Sequence, residues 1–99
     1  MENLKTQIEL RRITMTEFTY IIKDSHGIHA RPAGQLVKTA NEFKSEISIT
    51  KDKSCADAKK IFSVMSLGIK YNDQIKFTIV GTDETDAETK LKEFLTKNL

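Results

Sequence analysis

The hydrophobic residues of this chain recur with two different periods, and this alternation constrains the fold more than any other feature of the sequence. Residues 18–23, residues 46–50 and a later segment alternate apolar and polar residues, as half-buried strands do; their apolar residues are Phe18, Tyr20 and Ile22, then Ile47 and Ile49, then Ile75, Phe77 and Ile79. Other segments have apolar residues three and four positions apart, the spacing of one helix face; these are Ala33, Leu36, Val37 and Ala40, and later Ala87, Leu91, Phe94 and Leu95. Each predicted element therefore has one apolar and one polar face.

The remaining segments complete the order of elements. After a polar turn at residues 51–54, a short strand is predicted through Cys55, and a short helix over residues 60–67 is closed by Gly68. Thr82 or Asp83 is predicted to cap the last helix. The order predicts an α+β fold, an open-faced two-layer β-sandwich with a four-stranded, mainly antiparallel sheet covered on one face by three helices.

Size, charge and cysteine content exclude several classes of protein. A chain of 99 residues has room for one domain, and its single cysteine, Cys55, excludes an internal disulfide and a cysteine-rich metal site. Acidic and basic residues are interspersed and leave a net charge of +2, which disfavours nucleic-acid binding. No apolar run approaches the roughly 20 residues of a membrane span, and no secretory signal is recognisable. We therefore expect a cytoplasmic protein without membrane insertion.

The first fourteen residues do not fit the pattern of the rest of the chain. Their apolar residues have no clear helix caps, whereas a regular domain is predicted over residues 15–99. Two alternatives stay open for this N-terminal extension. Arg11 and Arg12 match a translated ribosome-binding sequence, which would make Met15 the natural start. Otherwise residues 1–14 form a genuine mobile tail.

Residues 27–32, Gly-Ile-His-Ala-Arg-Pro, carry the recognisable chemistry. Pro32 is tolerated in the first turn of a helix, so the first helix is predicted to begin close to His29 and Ala30. A helix start presents free backbone N–H groups, here those of Ala30 and Arg31, and forms an anion site. Arg31 adds a guanidinium that can grip phosphate. His29 beside it supplies an imidazole nucleophile, which the positive helix end should keep neutral.

The residues of this segment alone leave other interpretations open. A lone histidine before a helix is more often a surface or capping residue than a reactive group. His26 is a rival phosphoryl acceptor, a hydrogen-bond partner of His29, or merely an exposed side chain. Neither histidine has an obvious further ligand in the sequence, so no metal site and no cofactor are predicted.

The wider sequence resembles HPr, the family of histidine phosphocarriers of the bacterial sugar phosphotransferase system. The resemblance runs from Met15 to the C-terminus without an evident insertion. The distance from Met15 to His29 is also typical of that family. The resemblance to HPr rests on the segment from Gly27 to Ala33, on Leu36, Val37 and Phe43, on the run from Lys59 to Gly68 that ends in Val-Met-Ser-Leu-Gly, and on Gly81-Thr82-Asp83-Glu84 and Ala87.

The resemblance implies a covalent carrier rather than a free-standing enzyme. His29 would be phosphorylated on Nδ1 by enzyme I, itself charged from phosphoenolpyruvate, and would donate to the IIA domain of a sugar permease. Arg31 would orient the phosphoryl group. The docking surface carried over from the family is Gly34, Ile61, Phe62 and Met65. Because a short helix on a small sheet cannot bury both faces, we expect at least Phe62 or Met65 to be partly exposed.

Two departures from the family pattern bear on regulation and on the fold. Lys60 occupies the position at which many Gram-positive relatives carry a regulatory serine, the target of a dedicated kinase. Lysine cannot be phosphorylated by that kinase, which argues against this form of regulation. Asn72 replaces a frequent glycine, but asparagine tolerates left-handed backbone geometry. An HPr-like regulatory binding module that reports phosphorylation state remains the alternative function. The sequence requires no more than a monomer and does not indicate which sugars are served.

Overall fold

The computed structural model describes residues 15–99. Within these residues the elements are β1 (Met15–Ile21), α1 (Ala30–Ala40), β2 (Glu46–Lys51), β3 (Ser54–Asp57), α2 (Ile61–Ser66), β4 (Gln74–Val80) and α3 (Glu84–Asn98). The two alternatives for residues 1–14 concern a segment outside the described part of the chain. None of the described helices combines the length and the apolar character that a bilayer crossing requires.

The four strands form one sheet in the order β1-β4-β2-β3, and every pairing is antiparallel. Strands β2 and β3 are joined by a two-residue turn in which Asp52 has a φ of 53°. Aspartate accepts this left-handed geometry more readily than most residues. The predicted open-faced two-layer sandwich is confirmed.

Strand pairing sets the strand bounds, which differ from those predicted from hydrophobic periodicity. β1 begins three residues before the predicted start at Phe18, because Met15 already pairs with Val80 of β4. β2 and β3 extend into the predicted polar turn, where Lys51 pairs with Ser54. Antiparallel hydrogen bonds can thus extend a strand through residues whose side chains remain exposed.

The alternation of each strand separates the core from the open face of the sheet. Phe77 of β4 is fully buried, and its ring stacks on Phe18 of β1 with centroids 5.0 Å apart and planes 8° apart. Leu36 of α1 and Leu91 of α3 are also fully buried. On the open face, the Lys76 ammonium of β4 lies 3.6 Å from the Glu17 carboxylate of β1. The helices therefore cover only the apolar face of the sheet.

The start of α3 corrects the capping prediction. Asp83 occupies the N-cap position, but neither its carboxylate nor another side chain caps the helix. The carboxylate instead accepts the backbone N–H of Lys44 at 2.8 Å and both the N–H and the hydroxyl of Ser45. These bonds, the Ser45 hydroxyl foremost, lower the pKa of Asp83. The Asp83 carboxylate is therefore bonded to the loop before β2 and not to the first turn of α3.

Asn72 adopts a left-handed backbone conformation. Its φ of 70° lies in the left-handed region, which asparagine populates more easily than most residues. Its N–H donates to the carbonyl oxygen of Ile22 at 2.8 Å. The prediction that Asn72 tolerates left-handed turn geometry is confirmed.

Candidate functional site

The first helix begins where the sequence predicted. His29 is the N-cap residue with an extended backbone, and its carbonyl oxygen accepts the N–H of Ala33 at 2.9 Å. The N–H groups of Ala30 and Arg31 come before this first intrahelical bond, so they have no partner within the helix. No side chain caps this end of α1. The helix start therefore keeps the donors that an anion site needs.

The two side chains predicted to carry the chemistry are both accessible. The His29 side chain is 47% exposed, and Arg31, two residues further along, is also exposed. Pro32 and Ala33 behind them are buried and fix the helix on the sheet. The imidazole is thus held at the N-terminal end of α1, where it is accessible to solvent.

The loop before His29 is held by close backbone packing at Gly27. Gly27 has a φ of 67°, and a Cβ at this position would lie 2.4 Å from the carbonyl oxygen of Ile69 and 2.7 Å from Cα of Lys70. The same Ile69 oxygen accepts the N–H of Ile28 at 3.1 Å, and the Ile28 side chain is buried in the core. The sequence predicted a tight turn at Gly27. The structure adds that the neighbouring chain leaves no room for a side chain.

Asp24 is a member of the site that the sequence analysis did not identify. Its Oδ2 lies 4.0 Å from Nε2 of His29, and its Oδ1 lies 3.6 Å from Nδ1 of His26. The two imidazole rings meet edge to face with centroids 5.6 Å apart. His26 is therefore a neighbour of His29 as well as an exposed side chain. The spacing Asp-x-His-x-x-His in the sequence is the signal that would have found this cluster.

Comparison with known proteins identifies the family. A family model described as "PTS HPr component phosphorylation site" matches residues 16–97. Phosphocarrier protein HPr of Mycoplasma genitalium is 42% identical over 85 residues, which cover 85% of this chain and 97% of that protein. The chain belongs to the HPr family.

Other members of the HPr family agree in fold and in sequence. The solved structure of a mycoplasma histidine-containing phosphocarrier protein superposes with a TM-score of 0.81 at 34% identity, covering 83% of this chain and 93% of that one. A multiphosphoryl transfer protein of Vibrio cholerae is 43% identical over 68 residues, which are 66% of this chain but 17% of that protein. An HPr-like region also occurs, therefore, within a much longer relative.

The apolar patch expected in an HPr-family member, Gly34, Ile61, Phe62 and Met65, spans α1 and α2. Phe62 is 86% exposed and Met65 is 38% exposed, which confirms the expected exposure. Ile61 is half-buried and packs against the core. A Cβ built on Gly34 would lie 3.7 Å from Cδ1 of Ile61, so the two helices meet at this point. The one-sided burial of α2 follows from Val64, which takes the core-facing position.

Lys60 lies at the N-terminal end of α2. It is exposed, and its carbonyl oxygen accepts the N–H of Val64 at 3.1 Å. Its backbone is extended, and no side chain caps the helix there. The start of α2 therefore presents an exposed ammonium group.

Proposed function

We propose that this protein is a phosphoryl carrier that accepts a phosphoryl group on Nδ1 of His29 from phosphoenolpyruvate-charged enzyme I and donates it to IIA domains of sugar permeases. The observation that carries the proposal is a half-exposed imidazole at an uncapped helix start. Family membership supports the carrier role, and a single chain supplies every residue of the site. We therefore propose that it works as a monomer in the cytoplasm, where phosphoenolpyruvate is made.

The local chemistry suits reversible transfer. The Nδ1 lone pair forms an N–P bond as the bond between phosphorus and its donor breaks, and the reverse exchange passes the group on. Nε2 of His29 faces the Asp24 carboxylate, which leaves Nδ1 for the phosphoryl group. The amide hydrogens of Ala30 and Arg31 and the Arg31 guanidinium would share the negative charge of the phosphoryl oxygens.

The apolar patch of Gly34, Ile61, Phe62 and Met65 is the proposed docking surface for both partners. A phosphocarrier must release each partner quickly, and small interfaces suit such transient encounters. Phe62 presents a largely exposed aromatic ring, the type of side chain that most often dominates binding energy in an interface. The exposed cation Arg31 lies three residues before Gly34, and the exposed cation Lys60 lies directly before Ile61; both would favour acidic partner surfaces.

Labelling with radioactive phosphoenolpyruvate and enzyme I tests the proposal. We expect His29→Ala to keep the circular dichroism spectrum of the parent chain and to lose all label, because the acceptor nitrogen is gone. The label on the parent should be acid-labile, as a phosphohistidine is. His26→Asn tests the rival acceptor, and we expect that variant to be labelled. Label retained by folded His29→Ala would refute the assignment of His29.

Lys60 makes serine-kinase regulation through this position impossible. Lysine offers no hydroxyl, and its ammonium has the opposite charge to a phosphoserine. We therefore propose that the carrier function is retained and that the serine-dependent regulatory function of some relatives is absent at this position. A pull-down comparing IIA domains with transcriptional regulators separates the carrier from the regulatory binding module.

A further inference from the structure

Three metal-ligating side chains converge in the loop before α1. One ligand atom from each of Asp24, His26 and His29 lies within 4.8 Å of the others. All three remain accessible, since Asp24 is 27%, His29 47% and His26 80% exposed at the side chain. His26 and His29 are the only histidines in the sequence, and both belong to this cluster.

The separations are close to those of ligands around one small ion. A tetrahedral Zn²⁺ with ligands at about 2.1 Å holds neighbouring ligand atoms about 3.4 Å apart. Oδ1 of Asp24 lies 3.6 Å from Nδ1 of His26, and Oδ2 of Asp24 lies 4.0 Å from Nε2 of His29. Side-chain rotations of the exposed imidazoles would close the remaining gap.

The backbone already holds the loop in the required shape. The N–H of Asp24 donates to the backbone oxygen of Leu99 at 2.9 Å, and the carbonyl of Asp24 accepts the N–H of Gly27 at 2.9 Å. The N–H of His26 donates to Oδ1 of Asp24 at 2.8 Å, which leaves Oδ2 on the side of His29. The carboxylate is thus fixed between the two rings before any ion arrives, so little ordering is needed on binding.

We propose that Asp24, His26 and His29 bind a zinc ion through the Asp24 carboxylate, Nδ1 of His26 and Nε2 of His29, with water in a fourth position. Two imidazoles and one carboxylate suit a borderline ion such as Zn²⁺, whereas Mg²⁺ and Ca²⁺ prefer oxygen ligands. Protons compete with Zn²⁺ for the imidazole nitrogens, because each imidazole must be neutral to bind the ion.

The ion would also oppose the proposed carrier chemistry, and this consequence rests on the proposed function. Zn²⁺ on Nε2 of His29 withdraws electron density from the ring and weakens the Nδ1 lone pair as a nucleophile. It also fixes the imidazole toward Asp24. Zinc binding should therefore slow phosphoryl acceptance without any change in the docking surface.

Calorimetric titration of ZnCl₂ into the untagged, chelator-treated chain tests the binding site. Cys55 is exposed and is the one free thiol, so a Cys55→Ser background removes a competing ligand. We expect one Zn²⁺ per chain, and an affinity at least about tenfold lower in His26→Asn and in Asp24→Asn, as loss of groups around a metal typically causes. Asp24→Asn keeps an oxygen that can accept the His26 N–H and so preserves the loop.

Asp52→Asn is the matched control, because it neutralises an exposed carboxylate in a different turn and asparagine tolerates its φ of 53°. That variant should bind Zn²⁺ as the background chain does. The imidazole NMR signals of His26 and His29 should shift together on saturation. Unchanged affinity in His26→Asn, or shifts confined to other residues, would overturn the proposed site.

The effect on transfer is measured as the ratio of labelling rates with and without Zn²⁺ for each variant. We expect the ratio to fall well below one in the Cys55→Ser background and to return toward one in His26→Asn. A chain that is never labelled refutes the carrier function but leaves the titration result standing. A chain that binds Zn²⁺ through these residues and is labelled at the same rate refutes only the inhibitory consequence.

Discussion

Two glycines with the same backbone geometry provide a sharp test of how the loop before His29 is built. Gly27 and Gly68 have φ values of 67° and 60°, so alanine at either position would adopt the left-handed conformation. Their surroundings differ. A Cβ on Gly68 would meet no atom within 4 Å, whereas a Cβ on Gly27 would lie 2.4 Å from the carbonyl oxygen of Ile69 and 2.7 Å from Cα of Lys70. Gly68→Ala is therefore the matched control for Gly27→Ala.

The expected losses of stability follow from these contacts. Left-handed geometry costs a non-glycine residue about 1–2 kcal/mol, partly offset by about 0.4–1 kcal/mol because alanine restricts the unfolded chain. Gly68→Ala should therefore lower the free energy of unfolding by about 1 kcal/mol. Gly27→Ala must also displace backbone atoms, at about 1–3 kcal/mol, and weaken the Ile28 N–H bond to Ile69, at about 1 kcal/mol. We expect a total loss of about 3–5 kcal/mol.

Urea and thermal unfolding of the two variants measure this difference directly. For a domain of this size, 1 kcal/mol corresponds to about 4–8 °C in Tm, so Gly27→Ala should melt at least about 10 °C below Gly68→Ala. Free energies of unfolding that agree within about 0.5 kcal/mol would refute the reasoning. In that case the segments around Gly27 and Ile69 would not be in rigid contact.

Two further predictions concern the docking surface and the acid stability of the fold. Because Phe62 is 86% exposed, Phe62→Ala should change the free energy of unfolding by less than about 0.5 kcal/mol while raising KM for phosphorylation by enzyme I about tenfold; a marked loss of stability with unchanged KM would contradict the docking role. The pKa of Asp83 is lowered by the Ser45 hydroxyl and by the Lys44 and Ser45 amides, so its carboxylate stabilises the fold above the unfolded value of 3.8 and loses that effect as pH falls through the lower folded value. Asp83→Asn should therefore be less stable than the parent in urea unfolding at about pH 7, with a difference that shrinks below pH 3.8; a difference independent of pH would show that the charge is not involved.

The amino-acid sequence alone predicted the elements of the fold and the placement of His29 and Arg31 at the start of the first helix. Period-two segments such as Ile75, Phe77 and Ile79 can bury one face only as strands, and the helical spacing of Ala33, Leu36 and Ala40 can do so only as a helix. The start of α1 at Ala30 was also predictable, because proline is tolerated in the first turn of a helix but not in its interior. These are local properties, fixed by backbone geometry and by the spacing of neighbouring residues.

Tertiary structure decided which polar groups meet across the sequence. The Asp83 carboxylate is a plausible helix cap by its position, yet it accepts hydrogen bonds from Lys44 and Ser45, 39 and 38 residues away. The exclusion of a side chain at Gly27 comes from the backbone of Ile69, which no local pattern reveals. Local periodicity determines which face of an element is buried. Only the packed chain determines what each buried or tethered group touches, because those contacts depend on how distant segments are brought together.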